Sequence, residues 1–363
     1  MSSSISFNER QLPLDMKRRH MLVRKSEWQS LTRIRATMLK SVGETLRNEG
    51  FIEVRVPTIA SLIGSCENPA TLYKVKYRED DEGEEYMYLI QTCQLHLEAF
   101  VYAHEKVYSI NQSYRAEEKV DTRHLTEFTL IEVEAADYDL DELMRLQEKM
   151  ILGMARDVLK KNKEDISIFN AGLEERSSEI ERNKRKNGRY FNEITYNDAI
   201  DQISETEEGK ALNLEKGEDI PSKGEKILME QNNNLPMFIT HYPKKIKYFN
   251  MEDSEQFEDR VNSCDLLMPG VGEVSGCAER EADPKKLRTK FYTSPMYDEM
   301  KKDPDMDPDN DFEWLFDLGC SDSGPVYHGG FGMGFERVVQ WICNFDSILD
   351  CVEFPRNVEH ANP

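Results

Sequence analysis

The 363-residue sequence is short of positive charge: 47 Lys and Arg stand against 69 Asp and Glu, a formal net charge of −22. A long-range field of that sign opposes polyphosphate and nucleic-acid ligands. Any such site must be assembled from a few locally placed Arg, Lys and His residues. The chain also lacks an apolar run near the ~18 residues that a membrane-spanning helix needs. Its start, MSSSISFNERQLPLDMKRRH, has no apolar stretch of the signal-peptide kind. Secretion and membrane insertion are not expected. The seven cysteines (66, 93, 264, 277, 320, 343 and 351) are odd in number, scattered and never at C-x-x-C spacing. That excludes a disulfide framework or zinc knuckle and fits reduced thiols in the cytosol. Missing too are a G-K-[ST] phosphate loop, a strand–G-x-G-x-x-G–helix context and any internal repeat.

A hydrophobic fraction of 39% supplies a sizeable core, and 32% charged residues imply a well-solvated surface. Residues 1–25 read as a polar tail with a basic cluster at Lys17, Arg18, Arg19 and His20. Ser26 with Gln29 suggests a capping box. Leu31, Ile34, Met38, Val42 and Leu46 then follow at helical spacing, and Gly50 stops the helix. Strand patterns follow at 51–56, 86–91, 106–112 and 128–134, and a long amphipathic helix carries Leu143, Leu146, Met150, Ile151, Met154 and Val158. Residues 160–192 read as an exposed, charged helix or insertion. Further strands are expected at 236–240, 247–251 and 263–268, a loop-like acidic stretch at 281–313, and a last helix from Gly334 to Cys343. The arrangement suggests one large α+β domain with a mainly antiparallel sheet.

Two segments carry chemistry. SYRAEEKVDTRHLTEF (113–128) joins two strand patterns, so Arg115 and Glu117 would share a strand face, with Arg123, His124 and Phe128 close by. Guanidinium forks match phosphate, a carboxylate can hold a metal and an aromatic face can stack on a base. By composition alone, a solvated charged hairpin is the plainer reading. HGGFGMGFERVVQW (328–341) places glycines before a helix that starts with Glu336 and Arg337. This is either a close approach to an anionic ligand or a tight packing corner.

Taken together, the two segments resemble motifs 2 and 3 of the class II aminoacyl-tRNA synthetases, and GFIEVRVPTIA (50–60) resembles motif 1, with Pro57 at the family proline. YLIQTCQLHLEAF (88–100), GEDIP (217–221), FITHYPKKIKYFNM (238–251), CDLLMPGVGEVSGCAERE (264–281) and FPRNVEHANP (354–363) narrow the resemblance to the eukaryotic-type asparaginyl branch. It runs from about residue 26 to the C-terminus. It implies the class II catalytic fold, ATP and Mg²⁺, and a homodimer. By resemblance, Arg115, Glu117 and Arg337 are catalytic. Arg115 would grip the α-phosphate, Glu117 would lie beside nucleotide and metal, and Arg123 and His124 would meet the terminal phosphates. Phe128 and Arg337 would sandwich adenine. Ala116, Leu125, Glu273, Gly334, Phe335 and Glu336 would complete the ATP site. Asp265 and Glu273 would hold the metal. Glu67, Gln94, Glu98, Gly276 and Arg280 would bind the amino acid, with Glu98 beside Arg280 suiting an amide and so favouring asparagine over aspartate.

The sequence also departs from the family. Only 25 residues precede Ser26, so no anticodon-binding domain is expected. Glu118 to Thr122 make the motif 2 loop less basic, 317–330 lacks the family's basic residues, Asn68-Pro69 follows Glu67, and Cys277-Ala278 leads to Arg280. The expectation is therefore an ATP-dependent ligase that forms an asparaginyl or aspartyl adenylate. Its acyl acceptor is expected to be ammonia or a small amine or alcohol, with tRNA as the alternative and a non-catalytic regulatory protein as the third reading.

Overall fold

The computed structural model describes residues 18–62, 68–80, 83–118, 120–320 and 324–362. The first long helix, α1 (Ser26–Asn48), buries Leu31, Ile34, Met38, Val42 and Leu46 completely along one stripe. It ends before Gly50, whose φ of +88° is the left-handed backbone that favours glycine. The expected capping box is absent: Lys25 is the N-cap and makes no side-chain cap, while the Ser26 hydroxyl turns to Glu27.

Eleven strands follow among the described residues: β1 (Ile52–Glu53), β2 (Ile59–Ala60), β3 (Tyr73–Asp80), β4 (Gly83–Leu89), β5 (Lys106–Tyr114), β6 (Glu127–Ala136), β7 (Asn192–Thr195), β8 (Met237–Thr240), β9 (Ser263–Met268), β10 (Gly272–Glu279) and β11 (His328–Gly334). Eight form one sheet in the order β1-β5-β6-β11-β10-β9-β8-β7. Its inner pairings are antiparallel and only the two edge strands, β1 and β7, pair in parallel. β2, β4 and β3 form a small antiparallel sheet. The fold is α+β with a mainly antiparallel sheet flanked by helices, as the sequence suggests.

The sheet is covered on one face by α1 and by α3 (Leu140–Lys161), whose N-terminus has the reciprocal Asp139–Glu142 capping box. The main core, with Phe331, Met333, Ile131 and Val133 from the strands, sits between them. The other face carries α2 (Gln94–His104) beside β6 and β11. Two short elements complete the picture: α4 (Ser222–Gln231) beside β9 and β10, and α5 (Phe335–Cys343) directly after β11.

Several expectations are corrected. The strand expected at 51–56 shrinks to two residues, and 247–251 is an irregular turn with one bridge, Met251 to Arg280. The stretch 281–313 is not a loop. It folds into short helices at Pro284–Tyr292, Pro295–Met300 and Pro308–Asp311, joined by Glu313–Leu318. Phe291, Phe312 and Phe316 pack them into an aromatic cluster with Phe249 and Tyr88. The charged segment 160–192 is mostly helical, with Leu173–Asn187 anchored by Arg176, which donates to the Trp341 carbonyl at 2.7 Å.

Candidate active site

The solvent-facing side of β6, β11, β10 and β9 forms the floor of a cavity of about 650 Å³. Its two ends differ in chemistry.

One end collects guanidinium groups. Arg115 follows the last residue of β5, not within the strand as expected, and its amide still donates to the Thr126 carbonyl across the hairpin at 3.0 Å. Its guanidinium lies 5.6 Å from the Phe128 ring centroid. Arg337, in the first turn of α5, is half-buried in the cavity wall and donates to the Glu273 carbonyl. Burial lowers the Arg337 pKa, and nearby Arg123 and Arg115 push it the same way. Cations gathered in this manner repel one another until an anion joins them. Arg123 is ion-paired with Glu225 at 2.8 Å. His124 is held by Asp121 at 2.6 Å, and the same carboxylate accepts from the Arg123 and His124 amides. Glu117, Leu125 and Gly334 complete this part of the wall.

Among the other expected members of the nucleotide site, Glu336 lines the cavity, whereas Phe335 and Ala116 do not. Phe335 is fully buried in the core, with the Arg35 guanidinium 5.0 Å from its ring. The Glu336 carboxylate is committed to the Thr129 amide at 2.9 Å and to Arg35 at 3.1 Å, so it braces α5 against β6 and α1. Ala116 lies off the cavity wall and its amide donates to the Thr71 carbonyl.

At the middle of the floor, Asp265 on β9 pairs with Gly276 on β10, and Asp265 Oδ1 and Glu273 Oε1 both come within 4 Å of the point a Gly276 side chain would occupy. Burial raises the Asp265 pKa to about 6; Lys247 opposes the shift and Glu273 adds to it. Lys247 donates to both Asp265 oxygens at 2.6 and 2.7 Å and sits 3.9 Å from the Tyr242 ring centroid. Two hard oxygen donors on one stretch of floor suit a divalent cation that takes its remaining ligands from phosphate and water. Among the described residues no third His, Cys, Asp or Glu joins them.

The other end is a dry polar network. Arg280, at the end of β10, donates from Nε and Nη2 to the two oxygens of Glu134 at 3.0 and 3.3 Å. Gln94, at the start of α2, donates to the same carboxylate at 2.6 Å and to the Val133 carbonyl at 3.2 Å. Glu98 lies behind the wall, 4.0 Å from Arg280, where it accepts from Asn250 at 2.6 Å and faces His328 Nε2 at 3.5 Å. Burial works to lower the His328 pKa, but Glu98, Glu134 and the Val326 carbonyl together outweigh it and the net shift is upward. Glu67 lies outside the described residues.

This end also explains the glycine run. The run is strand β11, and the expected helix α5 follows it directly. A Cβ at Gly330 would overlap the Glu134 carboxylate and the Val133 carbonyl, so glycine is needed for Glu134 to reach Arg280. Glu134, Asn250, His328, Lys247 and Glu225 are absent from the residues singled out in the sequence. Glu134 had a readable signal: Glu132 and Glu134 are two acids on an otherwise apolar face of the strand, beside Phe128, Leu130 and Ala136.

A family model described as tRNA synthetases class II (D, K and N) matches residues 11–358. The chain is similar to the asparagine–tRNA ligase of Thermococcus kodakarensis, 34% identical over 346 residues that span 95% of this chain and 73% of that protein. It is similar to that of Pyrococcus furiosus at 33%, over 95% and 72%. Among solved structures, the asparaginyl-tRNA synthetase of Pyrococcus horikoshii complexed with asparaginyl-adenylate aligns with a TM-score of 0.82 and 33% identity, covering 98% of this chain and 75% of that one. The Entamoeba histolytica enzyme with the same adenylate aligns at 0.79 and 26%, over 98% and 73%.

Proposed function

The chain belongs to the class II tRNA synthetases (D, K and N) and is an ATP-dependent ligase, and we propose that it activates asparagine as asparaginyl-adenylate and transfers the acyl group to the 3′ end of tRNA. The observation that carries this reading is the convergence of Arg115, Arg123, Arg337 and Phe128 at one end of a cavity whose other end is built around Arg280 and Gln94.

In this reading, adenine lies between the Phe128 ring and the Arg337 guanidinium, and the bent triphosphate runs past Arg123 and His124. The asparagine carboxylate attacks the α-phosphorus, the bond to the bridging oxygen breaks and pyrophosphate leaves. Arg115 stabilises the charge on the pentacovalent phosphorus. No protein nucleophile is needed, because positioning and charge neutralisation supply the acceleration. Asp265 and Glu273 would hold Mg²⁺, which supplies neutralisation of the phosphate oxygens. Lys247 keeps Asp265 paired and oriented in the meantime. A terminal ribose hydroxyl of tRNA then attacks the mixed anhydride and AMP departs.

Asparagine is favoured over aspartate by the charge around Arg280. Two buried carboxylates, Glu134 and Glu98, already flank this guanidinium. A ligand carboxylate would be a third anion there, whereas a carboxamide brings donors to the same place. The homodimer is part of the same reading, built on the segment around Pro57, where Ile52 and Ile59 are exposed.

The expectation of an acceptor other than tRNA draws no support from the relatives, which carry the name asparagine–tRNA ligase. One observation keeps that second reading: the net charge of −22, with Asp121 placed in the loop at the cavity mouth. The test is incubation with ATP and asparagine plus either total tRNA or ammonium, with products identified by mass spectrometry. Asparaginyl-tRNA is expected. An ammonia-dependent product with uncharged tRNA would favour the second reading.

A further inference from the structure

The phosphate end contains a carboxylate that no step of the adenylation uses. Glu225, on α4, accepts from Arg123 Nη2 at 2.8 Å, with its side chain 12% exposed. Both groups crowd over Gly272, at the start of β10, where a Cβ would overlap Arg123 Nη2 and Glu225 Oε2. Gly272 has a φ of +90°, so both the backbone and the space above it require glycine here. Glu225 therefore reaches Arg123 through a gap kept open for that purpose. Burial raises its pKa against the pull of Arg123, and Glu273 and Arg337 act on it as well. These are the groups that a terminal phosphate would meet.

A carboxylate and a phosphate are both oxyanions that match the guanidinium fork. They compete for the same donors and repel each other when both are close. We propose that Glu225 is a built-in counter-anion: a positioning residue that holds Arg123 before the triphosphate arrives and competes with its β- and γ-phosphates afterwards. Its charge weakens the grip on nucleotide and on pyrophosphate and so speeds pyrophosphate release. The inference rests on the nucleotide-binding reading of the cavity and adds a residue to it. A purely structural role has the opposite sign. A brace for Arg123, once removed, would leave the guanidinium loose and phosphate binding weaker.

The sign is measurable by calorimetric titration of the full chain with inorganic pyrophosphate and with an ATP analogue carrying a methylene between the α and β phosphorus atoms. Glu225→Gln is expected to bind pyrophosphate about tenfold more tightly than wild type, with the KM for asparagine unchanged. In an Arg123→Ala background the same substitution is expected to gain nothing, because the competition has lost its object. Glu225→Asp, which withdraws the carboxylate by one methylene, gives the same sign test should the Gln variant fold poorly. Equal or weaker pyrophosphate binding in the variants, or a gain that persists without Arg123, overturns the proposal. A wild-type protein that binds neither pyrophosphate nor the analogue overturns the nucleotide reading itself, and this inference with it.

Discussion

The two ends of the cavity solve the problem of buried charge differently. At the phosphate end and the middle of the floor, three charged groups have partners that can be exchanged: Arg123 has Glu225, His124 has Asp121, and Asp265 has Lys247. The first two of these pairs are partly open to solvent, so their partners can part at modest cost. At the amino-acid end the partners are locked. Glu134 is fully buried between Arg280 and Gln94, and Glu98 between Asn250 and His328. The difference teaches that one end is built to trade internal counterions for a ligand, while the other is a rigid template whose charge is balanced before the ligand arrives.

The comparison can be broken at either end. The largest effect is expected from Arg115→Ala, which removes the guanidinium aimed at the reacting phosphate. ATP–pyrophosphate exchange should fall about a thousandfold with little change in melting temperature. On the template end, Glu134→Ala leaves Arg280 as a buried cation with only Glu98 nearby. A stability loss of about 3 kcal/mol by urea unfolding is expected, a loss that Arg115→Ala does not share. Arg280→Lys keeps the charge but not the fork, and about a hundredfold loss of kcat/KM for asparagine is expected with the KM for ATP unchanged.

The smallest effect concerns a carboxyl pair beside the template. Burial and contact with Glu279 raise the Glu252 pKa from 4.5 to about 7. Because the folded value is the higher one, stability is fullest below pH 4.5 and is lost as pH rises through 7. Glu252→Gln cannot ionise and avoids that loss. The variant should match wild type near pH 4 and exceed it at pH 8 by about 1 kcal/mol, once solvent screening at this half-exposed site is allowed for. An equal gain at both pH values would show that packing, not charge, is responsible.

How far the site could be read in advance follows the same division. The phosphate end was legible because its residues lie in two short contiguous strings, around Arg115 to Phe128 and at Arg337. The template end is assembled from residues far apart in the chain, Gln94, Glu134, Asn250, Arg280 and His328, whose meeting depends on strand register. The glycine run was left open between two readings for that reason. Its purpose appears only when Gly330 is seen opposite Glu134 on the next strand. The sheet and its long flanking helices were visible because Leu31 to Leu46 and Leu143 to Val158 keep a strict helical period and the central strands are β-rich. The helices within 284–318 were not, because acidic and Pro-rich composition resembles a loop. Here the prolines start helices at their first turn, and Asp283, Ser294 and Asp307 cap them.

Amino-acid-dependent exchange of radiolabelled pyrophosphate into ATP tests adenylate formation without any acceptor. Asparagine should support exchange, aspartate should support it at least about tenfold less well, and neither should need tRNA. Exchange with aspartate but not asparagine would contradict the account of the charge around Arg280. No exchange with either would contradict adenylation at this site altogether.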